Sequence, residues 1–159
     1  MRNTLITSAL LLCLALSLRP SVAAGDPPRR VDRGAGTGEV RVLVTGFEHA
    51  RGRALVGLFR SADGFPDEGR RAARRAAAPI RDGRVVVRFR NLPSGPFAVA
   101  VMHDEDGDEE MDTGLFGIPT EGYGVSRDAL RPLGPPLYED AVLRLRAGER
   151  KRVHVRMHY

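Results

Sequence analysis

Apolar residues recur at every second position of this chain, in short runs that end before they could form a helix face. Val40, Val42 and Val44 alternate with Arg41, Leu43 and Thr45, and Val153, Val155 and Met157 alternate with His154 and Arg156. A period of two puts those residues on one side of an extended strand, and only a second layer can bury that side. Ala54–Phe59, Val85–Phe89 and Val142–Arg146 read the same way. The segments between them carry turn chemistry: Glu48 to Gly52, the pair Asp82-Gly83, Asn91-Leu92-Pro93-Ser94-Gly95, and Ala147 to Arg150. Phe97-Ala98-Val99-Ala100-Val101-Met102 is apolar on both faces, which places it centrally in a sheet.

This pattern predicts an all-β fold, an antiparallel β-sandwich of six to seven strands of the immunoglobulin-like or transthyretin-like kind. Residues 61–79 fit it least. Phe65-Pro66 suggests a loop anchored by one aromatic ring, and Arg70, Arg71, Arg74 and Arg75 among alanines predict a short basic-faced helix ended by Pro79. Residues 113–139 are rich in glycine and proline and form a long excursion.

The first 24 residues stand outside the fold. Arg2, the apolar run Leu5–Leu18 and the small-residue exit Ser21-Val22-Ala23-Ala24 form a secretory signal peptide, which places the mature protein in the periplasm or outside the cell. Cys13 is the only cysteine and falls within it, so the mature chain has no disulfide. The apolar run is too short for a stable membrane anchor. Residues 25–38, mostly glycine, proline and arginine, read as a flexible linker, and the sandwich domain is expected over 39–159. Without Arg2 and Arg19 the net charge is +3, down from the +5 of the whole chain. The basic residues alternate along strands with no aromatic stacking platform, which argues against nucleic acid.

Directly after the central strand comes His103-Asp104-Glu105-Asp106-Gly107-Asp108-Glu109-Glu110-Met111-Asp112. Like charges a few ångströms apart repel by ~1 kcal/mol even in bulk water, so such a loop needs a counter-charge or wide splaying. Asp104, Asp106, Asp108 and Asp112 fall at positions 1, 3, 5 and 9, the spacing of oxygen ligands on a tight turn, with Glu121 as a distal candidate. A hard cation, Ca²⁺, is the expected occupant. The loop is not an EF-hand: Glu109 and Leu115 stand where that loop has its glycine and its bidentate glutamate. His49, His154 and His158 are scattered in the sequence, which argues against zinc and leaves His103 a structural residue. Gly124-Val125-Ser126-Arg127-Asp128 breaks the nucleophile-elbow pattern.

Phe89-Arg90-Asn91-Leu92-Pro93-Ser94-Gly95-Pro96-Phe97, then His103-Asp104-Glu105-Asp106-Gly107-Asp108, Met111-Asp112, Gly117-Ile118-Pro119-Thr120-Glu121-Gly122-Tyr123-Gly124-Val125-Ser126, Gly134-Pro135-Pro136 and Tyr138-Glu139-Asp140-Ala141 follow in order. This string resembles the secreted bacterial family called domain of unknown function 2141, over about residues 39–159. The resemblance implies a small exported β-sandwich and no established activity. Against that family's usual pattern, Asp106 and Asp108 replace asparagines and Glu109 replaces a glycine. The Asn-Leu-Pro-Ser-Gly turn is also similar to turns of transthyretin-like modules. The expected function is a non-enzymatic module that binds Ca²⁺ and presents a surface around Phe116, Tyr123 and Tyr138 to an envelope or extracellular protein or glycan. The alternative is a hydrolase of envelope or extracellular polysaccharide that uses the acidic-loop carboxylates.

Overall fold

The computed structural model describes residues 36–115 and 119–159. The expected signal peptide, most of the linker, and Phe116 lie outside the described residues. Among the described residues eight strands follow in order: β1 Thr37–Thr45, β2 Arg53–Phe59, β3 Arg74–Ala78, β4 Arg84–Pro93, β5 Gly95–Asp104, β6 Tyr123–Val125, β7 Leu143–Leu145 and β8 Arg150–Arg156. They form two sheets, β4-β1-β8 and β3-β2-β5-β6, with β7 paired to β5. The all-β sandwich expected from the alternation is what forms.

Its core lies between the sheets. Val40, Val42 and Val44 of β1 meet Val56 and Leu58 of β2 and Phe97, Val99 and Val101 of β5, all buried in one cluster. The odd residues of β5 serve this core. Ala98 and Ala100 point the other way, into a second cluster with Phe59, Val125 and Ala141. That outer cluster is closed by loop residues, among them Phe65, whose ring stands edge-on to Phe59 at 5.3 Å and to Tyr138 at 5.8 Å. The central placement of β5 and the anchoring role of Phe65 are therefore both observed.

Three features depart from the sequence reading, and the first is the count, eight strands instead of six to seven, because Arg74–Ala78 and Tyr123–Val125 also pair. The helix expected after Arg70 is a single 3₁₀ turn, Gly69–Arg71, and Arg74–Ala78 is an edge strand antiparallel to β2. Ala76 and Ala78 pack on the core while Arg74 and Arg75 stay exposed. A free edge of β2 thus outweighs the helix propensity of alanine. The sandwich is also not wholly antiparallel, because β1 runs parallel to β8.

The strand β5 carries the candidate site, and its free edge is shared. β7 pairs with Gly95–Phe97 and β6 with Ala100–Met102. In the gap between them the Val99 N–H donates to Ser126 Oγ at 3.0 Å, and that hydroxyl donates to the Ala141 carbonyl at 2.6 Å. Ser126 thereby completes the sheet where no strand does.

Candidate functional site

β2 begins where β5 ends, and the antiparallel register sets Arg53 opposite Asp104 and Ala54 opposite His103. The two consecutive residues of β5 consequently face opposite sides. His103 points into the sandwich end and Asp104 points outward, and both are fully buried. Their approach to the turn before β2 depends on Gly52, which has φ +70°. A Cβ there would lie 2.1 Å from the Asp104 carbonyl oxygen, so no other residue fits.

His103 closes a chain of hydrogen bonds. Its Nε2 lies 2.7 Å from the Arg51 carbonyl oxygen, an acceptor only, so that nitrogen carries the proton. Nδ1 then accepts from the Tyr159 hydroxyl at 2.7 Å, and the hydroxyl oxygen accepts from the Glu48 N–H at 3.2 Å. The His49 ring lies 5.0 Å from the same ring, tilted by 51°, with Nε2 3.1 Å from Glu105 Oε2. The structure thus brings together two histidines that lie far apart in the sequence. Ligand atoms of His49, His103 and Glu105 fall within 4.8 Å of one another. Both His103 nitrogens already have partners, however, which fits the structural role assigned to that residue.

On the other side of the strand the acidic loop is wound by its own carboxylates. Asp104 Oδ1 accepts from the Gly107 N–H at 2.9 Å, Asp106 Oδ1 from Asp108 at 3.2 Å, and Asp108 Oδ1 from Glu110 at 2.7 Å. These short-range bonds are the habit of aspartate in turns. They gather Asp104, Asp106 and Asp108 so that one carboxylate oxygen of each lies within 4.8 Å of the others.

Asp112 and Glu121, the other two expected ligands, belong to a separate arrangement. Glu121 folds back onto the loop, and its Oε1 accepts from the Glu105 N–H at 2.8 Å while Oε2 accepts from the Asp112 N–H at 3.4 Å. It is almost fully buried, and that burial raises its pKa above the ordinary carboxylate value against the opposing pull of the two N–H donors. Asp112, Thr120 and Glu121 line an open cleft with Arg51, Glu105 and Asp106.

Much of the counter-charge comes from residues that the sequence reading passed over. Arg53 Nε donates to Asp104 Oδ2 at 2.7 Å, and its Nη2 lies 3.4 Å from Glu109. The hydrogen bond to Asp104 raises the Arg53 pKa further above its already high value. Arg51 bonds Glu105, and Arg75 reaches Glu109 at 3.9 Å. Among the described residues, Asp106, Asp108, Glu110 and Asp112 have no cationic partner. The available signal was positional: Arg53 opens a strand that pairs with the one running into the loop.

Of the expected surface aromatics, Tyr123 is half-buried in β6 opposite Met102, and Tyr138 packs in the outer apolar cluster. The excursion instead exposes Leu115 and Leu133.

A family model described as an uncharacterized protein conserved in bacteria, DUF2141, matches residues 42–153. No curated protein and no solved structure matches the chain.

Proposed function

This chain belongs to the DUF2141 family of uncharacterized bacterial proteins, and from that premise we propose that it is an exported, non-enzymatic β-sandwich whose acidic loop binds Ca²⁺. Export rests on the tripartite pattern of Arg2, Leu5–Leu18 and Ser21–Ala24. The calcium reading rests on one observation: Asp104, Asp106 and Asp108 converge within 4.8 Å. Asp106 and Asp108 have no cationic partner among the described residues to offset their repulsion. A hard divalent cation supplies that charge, and Ca²⁺ tolerates the irregular shell of carboxylate, carbonyl and water oxygens that a loop offers. Asp112 and Glu121 then act beside the ion, with Glu121 clamping the loop through Glu105 and Asp112. The excursion over 113–139 would present Leu115 and Leu133 to an envelope or extracellular protein or glycan.

The hydrolase alternative takes its support from the raised pKa of Glu121 beside an open cleft. A general acid must hand over a proton, and here both carboxylate oxygens accept backbone N–H groups. That bonding suits a clamp. Saccharide turnover abolished by Asp112→Asn in a folded protein would install the hydrolase.

Thermal unfolding in chelator and in calcium tests the ion. Binding adds about 1.4 kcal/mol when calcium is about tenfold over Kd. For a domain of this size that raises Tm by about 5 °C. Extracellular modules bind at ~10⁻⁴ to 10⁻³ M, so millimolar calcium suffices, and magnesium, which holds its waters, does less. The double variant Asp106→Ala/Asp108→Ala loses the response. Identical melting curves for the wild type in chelator and calcium would end the calcium reading.

A further inference from the structure

The outer face of the β4-β1-β8 sheet concentrates positive charge in register. Arg41 of β1 lies directly between Arg88 of β4 and Arg152 of β8. Four residues along β1, Thr45 is flanked by Arg84 and Arg156 in the same way. All five arginines are exposed. Among the described residues none of the five has an ion-pair partner, and the sole ion pair on this face is Arg90 with Glu39 at 3.7 Å. Like charges directly opposite one another in a sheet are destabilising, so the Arg88-Arg41-Arg152 row is a standing cost to the free protein.

Between the two arginine rows runs a different one. Leu43 sits between Val86 and His154, and Val86 is 42% exposed. The face is therefore a patch about 10 Å wide between its outer strands, with cationic rows about 14 Å apart and an apolar pair at the centre.

We infer that this face docks the protein on an anionic phospholipid surface. Arginine binds phosphate through a planar, two-pronged donor set and is weakly hydrated, which suits a headgroup layer. An extended soluble polyanion needs one line of charges and gains nothing from an apolar centre. A bilayer meets both demands, because its phosphates lie just above hydrocarbon that Leu43 and Val86 can touch. Nucleic acid is disfavoured because the face offers no aromatic ring for base stacking. Adhesion of this kind is peripheral and reversible, and it is independent of the acidic loop.

Co-sedimentation with vesicles tests the inference, in chelator so that calcium plays no part. The exported chain binds vesicles of phosphatidylcholine mixed with phosphatidylglycerol, does not bind phosphatidylcholine alone, and releases as salt rises. Each basic residue near an anionic surface contributes enough that Arg41→Gln/Arg88→Gln/Arg152→Gln lowers partitioning by about 100-fold. The equal-charge control Arg127→Gln/Arg131→Gln/Arg144→Gln, on exposed arginines elsewhere, leaves it nearly unchanged. Leu43→Ser/Val86→Ser weakens vesicle binding but spares any binding of soluble polyphosphate. The inference fails if the anionic vesicles are not bound, or if both triple variants lose equally. It also fails if Leu43→Ser/Val86→Ser binds vesicles as well as the wild type does, because the ligand is then a polyanion.

Discussion

The acidic loop and the outer face of the β4-β1-β8 sheet handle crowded charge in opposite ways. In the loop, Asp104 is buried against Arg53, Glu105 is met by Arg51 and His49, and Glu109 by Arg53 and Arg75. Backbone N–H groups take further carboxylate oxygens of Asp104, Asp106 and Asp108. On the sheet, Arg41, Arg88 and Arg152 stand side by side with no carboxylate between them. The net charge of +5 of the whole chain therefore describes neither region. Compensation of Asp104, Glu105 and Glu109 holds the loop in shape, and among the described residues only its outer aspartates and Glu110 are left without a cation. The uncompensated arginines make no ion pair among the described residues, which is why we look outside the protein for their partner.

The largest test of this contrast is Arg53→Ala. Asp104 has no exposed surface, and the Arg53 side chain is 35% exposed. Removing one partner of a buried pair strands the other charge, and water reaching the Arg53 side softens the loss to about 2–4 kcal/mol. Urea unfolding measures it. A loss below about 0.5 kcal/mol, the level of an ordinary surface substitution, would mean that Arg53 does not hold the loop.

Glu121→Ala comes next. It leaves the Glu105 and Asp112 N–H groups without their acceptor, at a cost of about 1–3 kcal/mol. It also removes a pH dependence of definite sign. Burial holds the folded Glu121 pKa above its ordinary 4.5. The stabilisation linked to that shift is therefore full below the ordinary value and disappears as pH rises through the folded one. The wild type should lose stability across that interval relative to the variant, as read by unfolding at successive pH values. Parallel profiles would show that the clamp does not titrate as described.

How much of this was legible in the sequence follows from the range of each interaction. Alternation revealed β1, β2, β4, β7 and β8, because burial of one strand face is written locally, and a run apolar on both faces revealed β5. β3 was missed because Arg74-Arg75-Ala76-Ala77-Ala78 favours a helix until the β2 edge is available. The parallel pairing of β1 with β8 joins the two ends of the domain and leaves no local trace. At the site, the aspartate spacing correctly gathered Asp104, Asp106 and Asp108. It also grouped with them Asp112, which lies instead beside Glu121, the distal candidate, whose oxygens are spent on backbone N–H groups, a choice made by the fold of the excursion. The pairing of His49 with His103 depends on a turn closed over Gly52, and Arg53 depends on strand register.

The backbone of the acidic loop offers a smaller test. Glu109 adopts φ +68°, the left-handed conformation that glycine takes without strain. Glu109→Gly relieves that strain and forfeits only exposed pairs with Arg53 and Arg75. The net gain should be about 0.5–1 kcal/mol, and a loss in urea unfolding would assign Glu109 a real part in the compensation.

The smallest expected effect is the most direct comparison, because it makes a change of the same kind on the uncompensated face. Arg41→Gln removes the middle charge of the Arg88-Arg41-Arg152 row and keeps a long polar side chain on the strand. Two like-charge contacts disappear and no ion pair is lost, so the variant should be more stable by about 0.2–1 kcal/mol. The gain is electrostatic and solvent-exposed, so it should shrink as added salt shortens the Debye length toward ~3 Å at 1 M. Arg53→Ala should keep most of its deficit under the same salt, because Asp104 is buried. Thermal unfolding of both variants at low and high salt reads the two regions against each other. If Arg41→Gln is destabilising at low salt, the row is compensated within the fold, and the case for an external anionic partner loses its footing.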